Sequence, residues 1–468
     1  MAAEQPLYQA RIPIYPRTVK GRFRRLKWGI LLLAYGVYYL LPWLPWERPA
    51  APDQAVLFDI PGRSFFVFDL VIHPQDLFWL AGLLIVAAWL LFLVTGLLGR
   101  VFCGYFCFQT LWTDVFMLFE RWIQGERPAR IRLDKQPWHV RKFMLKGATH
   151  LAWLALACVT GLTFTLYWGY APELIVDFVT GQAPFPAYAT TLFLTATTYV
   201  MAGLAREQVC TFMCPYSRFQ SVMIDRDTKI VSYDRARGEG AHGRAPLAAG
   251  AKTRAERQAK GLGDCIDCGY CVQVCPVGID IRDGLQIQCI HCALCIDACD
   301  QVMDRLHWPR GLVRYASENE LAGGKTRWLK LKNVGYAVAL TLALGVIVWS
   351  MANPTLLDGS VNQVRQPLYV RLADGSIQNS YEIKLNNNSQ QPLTLNVALR
   401  DLPAAILDTG QIEQVNLGPN RSLRLLARVR LPAERARRRD RHDFAFEITP
   451  VNAQQVEPMR LPGQFFSP

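Results

Sequence analysis

Residues Asp264–Gly278 read DCIDCGYCVQVCPVG, and residues Gln288–Asp300 read QCIHCALCIDACD. Cysteines stand at 265, 268, 271 and 275, and again at 289, 292, 295 and 299, with the spacing Cys-x2-Cys-x2-Cys-x3-Cys in both runs. Three closely spaced thiolates can wrap three corners of an iron–sulfur cubane, and in paired runs of this kind the fourth comes from the other run. Cys265, Cys268, Cys271 and Cys299 are therefore assigned to one [4Fe-4S] cluster, and Cys289, Cys292, Cys295 and Cys275 to a second. Gly269, Gly278 and Ala293 are small or flexible enough for backbone N–H groups to approach the sulfurs. Zinc prefers four ligands in two separated pairs, which these two identical runs do not offer. His291, inside the second run, reads as a surface residue and not a ligand. No Cys-x-x-Cys-His haem attachment site occurs.

Outward from these runs, the chain has 468 residues, of which 51% are hydrophobic and 19% charged. That composition excludes a disordered chain and leaves room for about three units. All thirteen cysteines lie between Cys103 and Cys299, unlike a disulfide-stapled secreted protein. Five stretches are apolar enough to cross a bilayer core of about 30 Å. They are Trp28–Leu44, about Leu77–Leu98, Ala148–Tyr170, Ala187–Ala205 and about Asn333–Met351.

Lysine and arginine set the expected orientation. They crowd the segment before the first span and the 99–147 connection, whereas residues 47–76 hold only Arg48 and Arg63, and residues 171–186 hold none. The N-terminus, the 99–147 loop and residues 206–332 are thus expected in the cytoplasm, and the tail after Met351 on the far side. The formal net charge of +13 is largely a topology signal, and no nucleic-acid partner is needed to explain it. No cleavable signal peptide is evident. The expected organisation is a basic cytoplasmic segment (1–27), four spans with loops (28–205), a cytoplasmic segment (206–332) with the cluster domain at about 255–310, a fifth span (333–351) and a far-side domain (352–468). The stretch 238–243, GEGAHG, formally matches a dinucleotide fingerprint but lacks the strand–turn–helix context and reads as a flexible linker.

The tail alternates. LYVRL at 368–372, YEIKL at 381–385, LTLNVAL at 393–399, LRLLARV at 423–429 and FAFEI at 444–448 are separated by turn signals, which predicts an antiparallel β-sandwich. It carries no catalytic constellation and reads as a docking or packing domain.

Two further cysteine pairs sit where the second and fourth spans end. GRVFCGYFCFQTLW carries Cys103 and Cys107, and REQVCTFMCPYSRFQ carries Cys210 and Cys214. Each pair is four residues apart, so on a continuing helix its members share one face. Each follows an arginine, Arg100 or Arg206. Matched pairs at matched depth point to one functional site, and soft thiolates select Cu(I), zinc or iron–sulfur. A thiolate site that prefers Cu(I) also raises the potential of the copper couple. Met213 and the isolated Cys158 read as packing residues, and Asp114 as a solvated or capping residue.

Taken together, RIPIYPRTVKGRFRRLKW, FCGYFC, VCTFMCPYSRFQ, VSYDRARGE, the paired ferredoxin-type runs and the β tail resemble the bacterial cytochrome c oxidase accessory protein family. These are membrane polyferredoxins needed to assemble cbb-type haem-copper oxidases. The similarity spans essentially the whole chain. It implies a multi-domain fold: an α-helical membrane domain of five transmembrane helices, a cytoplasmic α+β two-cluster bacterial ferredoxin domain and a C-terminal immunoglobulin-like β-sandwich. It also implies two [4Fe-4S] clusters and reduction of Cu(II) to Cu(I), with copper as substrate at Cys103, Cys107, Cys210 and Cys214. The expected setting is the bacterial inner membrane. Expected partners are copper ions, an unknown electron donor, and oxidase subunits or copper chaperones; a homodimer stays open. Phe108 departs from the pattern, where a proline usually follows the first membrane motif, as Pro215 follows the second. Asp300 departs likewise, without removing a ligand. Two rival functions stay open at this stage: a quinone-linked electron carrier and a non-enzymatic copper-binding assembly scaffold.

Overall fold

The structure, a computed structural model, describes residues 13–48, 52–72, 77–247, 251–353, 356–389, 391–410, 414–419, 421–436, 441–452 and 457–467. The chain divides into two compact units, Met1–Ile347 and Val348–Pro468.

The first unit opens with helices α1 (Arg22–Leu40) and α2 (Leu77–Leu98), joined through a small antiparallel sheet of β1 (Val56–Asp59), β2 (Ser64–Val67) and β3 (Leu70–Ile72). There follow α3 (Val101–Tyr105), α4 (Phe108–Gln124), α5 (Arg127–Lys135), α6 (Val140–Leu166), α7 (Ala171–Thr180), α8 (Phe185–Thr198) and α9 (Pro215–Val222). Helix α6 packs on α8 through small residues, so their backbones come close. A Cβ on Gly161 would stand 2.6 Å from the Thr191 carbonyl oxygen, and the Thr165 and Thr191 hydroxyls share a hydrogen bond of 2.8 Å.

Among the described residues, four segments are long and apolar enough to cross a membrane: Phe78–Leu98, Val101–Gln124, Val140–Leu166 and Leu331–Ala352. Three coincide with predicted spans. The predicted first span lies on α1, which starts six residues earlier than expected and takes Arg22, Arg24, Arg25 and Lys27 into its first turns. The predicted fourth span lies on α8, whose α-winding lasts 14 residues before Tyr199–Ala205 continues as a π-helix. Val101–Gln124 was not expected as a span, and its backbone breaks at Cys107 between α3 and α4. In α2, Leu83, Leu84, Ile85 and Leu90 turn outward, as on a lipid-facing helix. Cys158 is also exposed, so it is not the packing residue the sequence suggested.

The cluster-bearing part is bracketed by an antiparallel pair, β4 (Ile230–Tyr233) and β5 (Val313–Ala316), with Ile230 opposite Ala316. It contains α10 (Leu294–Arg305), and α11 (Leu331–Ala352) follows it. The 238–243 stretch is not a flexible linker. Gly240, at φ +58°, pairs with Leu262, and a Cβ there would sit 2.6 Å from the Gly261 carbonyl oxygen. Its glycines serve close backbone approach.

The second unit is a sandwich of two antiparallel sheets. One has the order β10 (Ile406–Asp408), β12 (Ser422–Leu431), β8 (Ile377–Asn387), β6 (Leu357–Gln363), with β7 (Val370–Arg371) also on β8. The other runs β11 (Val415–Leu417), β9 (Leu393–Arg400), β13 (Arg441–Pro450), β14 (Met459–Phe466). Alternate residues of β8 point inward, and Tyr381, Ile383, Leu385, Leu395, Phe446 and Ile448 form the core. All five predicted strands fall on observed ones, although only two residues of 368–372 pair. Short β10 and β11 and the polar β6 escaped the alternation signal.

Candidate functional site

The two cysteine runs repeat in backbone as well as in sequence. Asp267 and His291 occupy equivalent places with φ +53° and +51°, and Gly269 and Ala293 follow with φ +63° and +60°. Left-handed residues set among right-handed ones turn N–H groups into a concavity that favours anionic sulfur. Gly269 then starts the short helix Tyr270–Gln273, and Ala293 starts α10.

Folding brings the eight cysteines around two voids. Cys265, Cys268, Cys271 and Cys299 line one. Cys275, Cys289, Cys292 and Cys295 line another, which Cys271 also borders. The rest of both linings is mainly apolar, with Val231, Ile281, Met303 and Leu312 among the buried side chains. Among the described residues no three His, Cys, Asp or Glu side chains stand close enough to hold a single ion. Zinc needs sulfurs at about 2.3 Å from the metal, so the wider rings suit a cubane instead. Burial pushes the Cys271 and Cys289 thiols up to about 12 and Cys275 up to about 11, so loading with iron must displace protons. Asp300 lies inside α10 and accepts the Gly311 amide at 3.1 Å.

The membrane motif docks directly on the second run. Cys103 packs in one buried cluster with Cys292, Ile290, Leu294 and Val274. A Cβ on Gly104 would meet the Ile290 carbonyl oxygen at 2.7 Å and Cys292 Cα at 3.0 Å. The Tyr105 hydroxyl donates to the Cys292 carbonyl at 3.0 Å, and the Tyr315 hydroxyl donates to the His291 carbonyl at 2.6 Å.

The four membrane cysteines share one neighbourhood. Cys210 lies near Cys107, Cys103 and Cys214. The pairs are not on continuous α-helices, which corrects the sequence reading. Cys103 lies on α3, but Cys107 is extended (φ −65°, ψ 125°) and precedes the first residue of α4. Cys210 sits on a π-wound turn, and Cys214 (φ −80°, ψ 112°) precedes α9. The break after Cys107 is therefore present without a proline. The four thiols do not close into one ion-sized cage.

Arg100, His291 and Gln220 were not assigned to the site by the sequence. The Cys103 thiol donates to Gln220 Oε1 at 3.0 Å, and Arg100 Nη2 lies 4.0 Å from Cys103 Sγ. Arg100 is fully buried, and its guanidinium also binds the Ile287 carbonyl. His291 is 1% exposed, not a surface residue, and its Nδ1 accepts the Arg100 amide at 2.9 Å. Burial and the Arg100 charge pull its ring down to about 3, which keeps it neutral. Nearby, Glu120 joins Arg130 at 3.0 Å and Arg206 at 2.5 Å, while Asp114 is buried against Lys27 and Arg24 and not solvated. The only sequence signal for this layer was the arginine preceding each cysteine pair.

A family described as "4Fe-4S dicluster domain" matches residues 205–318, and one described as "IG-like fold at C-terminal of FixG" matches residues 347–468. The chain is 41% identical over 473 residues to the nitrogen fixation protein FixG of Rhizobium meliloti, covering 92% of this chain and 88% of that one. It is 45% identical to the protein RdxA of Cereibacter sphaeroides, covering 84% of each. The chain belongs to the FixG/Rdx family. As a member, it is a membrane-embedded iron–sulfur electron-transfer protein with an immunoglobulin-like C-terminal domain. RdxB of Cereibacter sphaeroides is 43% identical, over 81% of this chain and 80% of that one. A crystal structure of a FixG-related protein from Vibrio parahaemolyticus aligns over 24% of this chain and 96% of its own, with 17% identity and a TM-score of 0.22.

Proposed function

We propose that the chain is a metalloreductase of the bacterial cytoplasmic membrane that converts Cu(II) to Cu(I) for the copper centre of a cbb-type cytochrome c oxidase. Cys265, Cys268, Cys271 and Cys299 would hold one [4Fe-4S] cluster, and Cys275, Cys289, Cys292 and Cys295 the other. When bound, these clusters supply one-electron transfer. The observation that carries the reading is the docking of the membrane motif on the second ring: Cys103 shares a buried cluster with Cys292, and the neighbouring Gly104 and Tyr105 meet the Cys292 backbone directly.

Each part of the chain has a task in this reading. Cys103, Cys107, Cys210 and Cys214 offer soft sulfur to copper, and soft sulfur prefers Cu(I) over Cu(II). Each Cu(II) takes one electron, and no covalent bond within the protein changes. An incomplete cage suits a substrate that must leave, because closed four-ligand sites are the structural kind. Gln220 and Arg100 hold Cys103 in place. The distribution of basic residues supports a cytoplasmic side for the thiols and cluster domain and a periplasmic side for the immunoglobulin-like domain. Cu(I) then passes to oxidase subunits or a copper chaperone.

Anaerobic titration tests this. Dithionite-reduced protein is expected to be reoxidised by Cu(II), with loss of the reduced-cluster EPR signal. Replacing Cys103, Cys107, Cys210 and Cys214 by serine is expected to slow this by more than about 100-fold while the EPR signal before copper is retained. Reoxidation at the wild-type rate in that variant refutes the copper site.

A further inference from the structure

The first cluster ring has its own approach from solvent. Between the basic segment ahead of α1 and helix α10 lies an open groove of about 1990 Å³ of empty space. Seven basic side chains line it against four acidic ones, and Lys20, Arg22, Arg25 and Arg305 are exposed. The acids are already engaged. Asp297 accepts the Phe23 and Arg24 amides at 3.2 and 2.8 Å, and Asp300 accepts the Gly311 amide. Asp304 holds Arg310 at 2.6 Å, and Glu126 accepts from the Thr18 hydroxyl at 2.9 Å. Arg24, Arg310 and Arg121 are paired in turn with Asp114, Asp304 and Glu126, and the remaining cations Lys20, Arg22, Arg25 and Arg305 outnumber Asp297 and Asp300, so the groove presents net positive charge.

Tyr270 joins this groove to the first ring. It lines the groove and, with Cys268 and Cys271, also lines the first void. Its hydroxyl donates to the Thr18 carbonyl at 3.0 Å, and the Arg17 guanidinium lies 4.9 Å from the ring centroid. One aromatic ring thus separates a cationic docking surface from the cysteines. The membrane motif docks on the other ring, through Gly104 and Tyr105 at Cys292.

We propose that this groove is the port at which a small, acidic one-electron carrier protein docks and delivers its electron. The inference rests on the iron–sulfur electron-transfer reading and adds its missing donor by chemical class. The reduced carrier loses one electron and the chain gains one; no proton moves and no bond is made. A nicotinamide gives up a hydride, an electron pair, which one-electron centres do not accept directly. Complementary charge steers such encounters and makes them sensitive to salt.

Full-length, cluster-loaded protein in detergent is mixed with acidic flavodoxin and, separately, with acidic [2Fe-2S] ferredoxin, and with basic cytochrome c as a control. Binding is read by calorimetry, and cluster reduction by stopped-flow absorbance with the reduced carriers. The expected result is binding of an acidic carrier that weakens with salt, and no binding of cytochrome c. The triple variant R22E/R25E/R305E is expected to lower the reduction rate by about tenfold or more, with dithionite reduction and reoxidation by Cu(II) at wild-type rates. Three results overturn the inference: neither acidic carrier binds, the triple variant binds and is reduced like the wild type, or it loses only its binding to phosphatidylglycerol vesicles. Failure of Cu(II) to reoxidise the dithionite-reduced wild type would instead refute the copper reading alone.

Discussion

Asp114 carries a carboxylate that is 3% exposed, with Lys27 Nζ at 3.0 Å and Arg24 Nη1 at 3.2 Å. Lys27 is itself only 1% exposed, so removing the carboxylate strands a buried ammonium. Asp114→Ala is expected to cost about 3–5 kcal/mol, seen as a lower thermal unfolding midpoint and reduced yield in detergent. Asp114→Asn, which keeps one acceptor oxygen, is expected to cost less. At this scale the cysteines were legible because ligand spacing within a short run is itself the chemistry. His291 and Asp114 were not. Both look like ordinary polar residues until distant segments cover them: residues around Arg100 close over His291, and α1 closes over Asp114. Burial of a polar side chain is decided by which acceptor or counter-ion the fold delivers, and the residues flanking it in sequence carry no trace of that.

Between elements, the junctions at Cys107 and Cys214 can be compared directly. Both cysteines are extended and both precede a helix, yet proline follows only the second. Proline fits the first position of a helix and holds the residue before it extended, the conformation Cys107 already has. Phe108→Pro is therefore expected to leave stability within about 1 kcal/mol of wild type. Gly104→Ala, four residues earlier, is expected to cost about 1–3 kcal/mol, because its Cβ would press on backbone at Ile290 and Cys292 that cannot rotate away. Unfolding midpoints measure both, and electron transfer to Cu(II) should slow only in the glycine variant. A third junction is pH-sensitive. Asp225 meets Lys330 and Lys332 at the start of α11. Burial raises its carboxyl, but the two lysine hydrogen bonds outweigh that and hold it below the usual carboxylate range. Stabilisation from a depressed carboxyl is complete above its unfolded value of about 3.9 and is lost as pH falls below it. Unfolding midpoints of Asp225→Asn are expected to fall less steeply than wild type below about pH 4. The helices themselves were legible from apolar runs. Their ends were not, because α1 begins inside a charged stretch and α8 changes winding without any proline or glycine signal at Tyr199.

Across the whole molecule, two different physical principles hold the two units together. The sandwich of the second unit owes its order to an apolar core of Tyr381, Ile383, Leu385, Phe446 and Phe465, with no cysteine in it. Its strands were legible because alternation and turn residues repeat along a short, local pattern. The cluster-bearing part has instead two rings of cysteines, with Val231, Ile281, Ala293 and Met303 packed around them. Without iron, those rings leave neutral thiols around empty space, which forfeits packing contacts. Metal affinity and folding are then one free energy. Stripping iron with a chelator and a mild oxidant is expected to melt the region between β4 and β5, seen as rapid amide exchange at 265–299. Exchange in β8, β9, β12 and β13 should stay as slow as in the loaded protein, because no cluster cysteine belongs to that unit. The docking of Gly104 and Tyr105 on residues 290–292 should loosen together with the cluster region, since its receiving surface is the backbone of the second run. Amide exchange at 101–105 that stayed slow after iron removal would show that the membrane motif is held by its helices alone, and would break the structural link between the membrane thiols and the clusters.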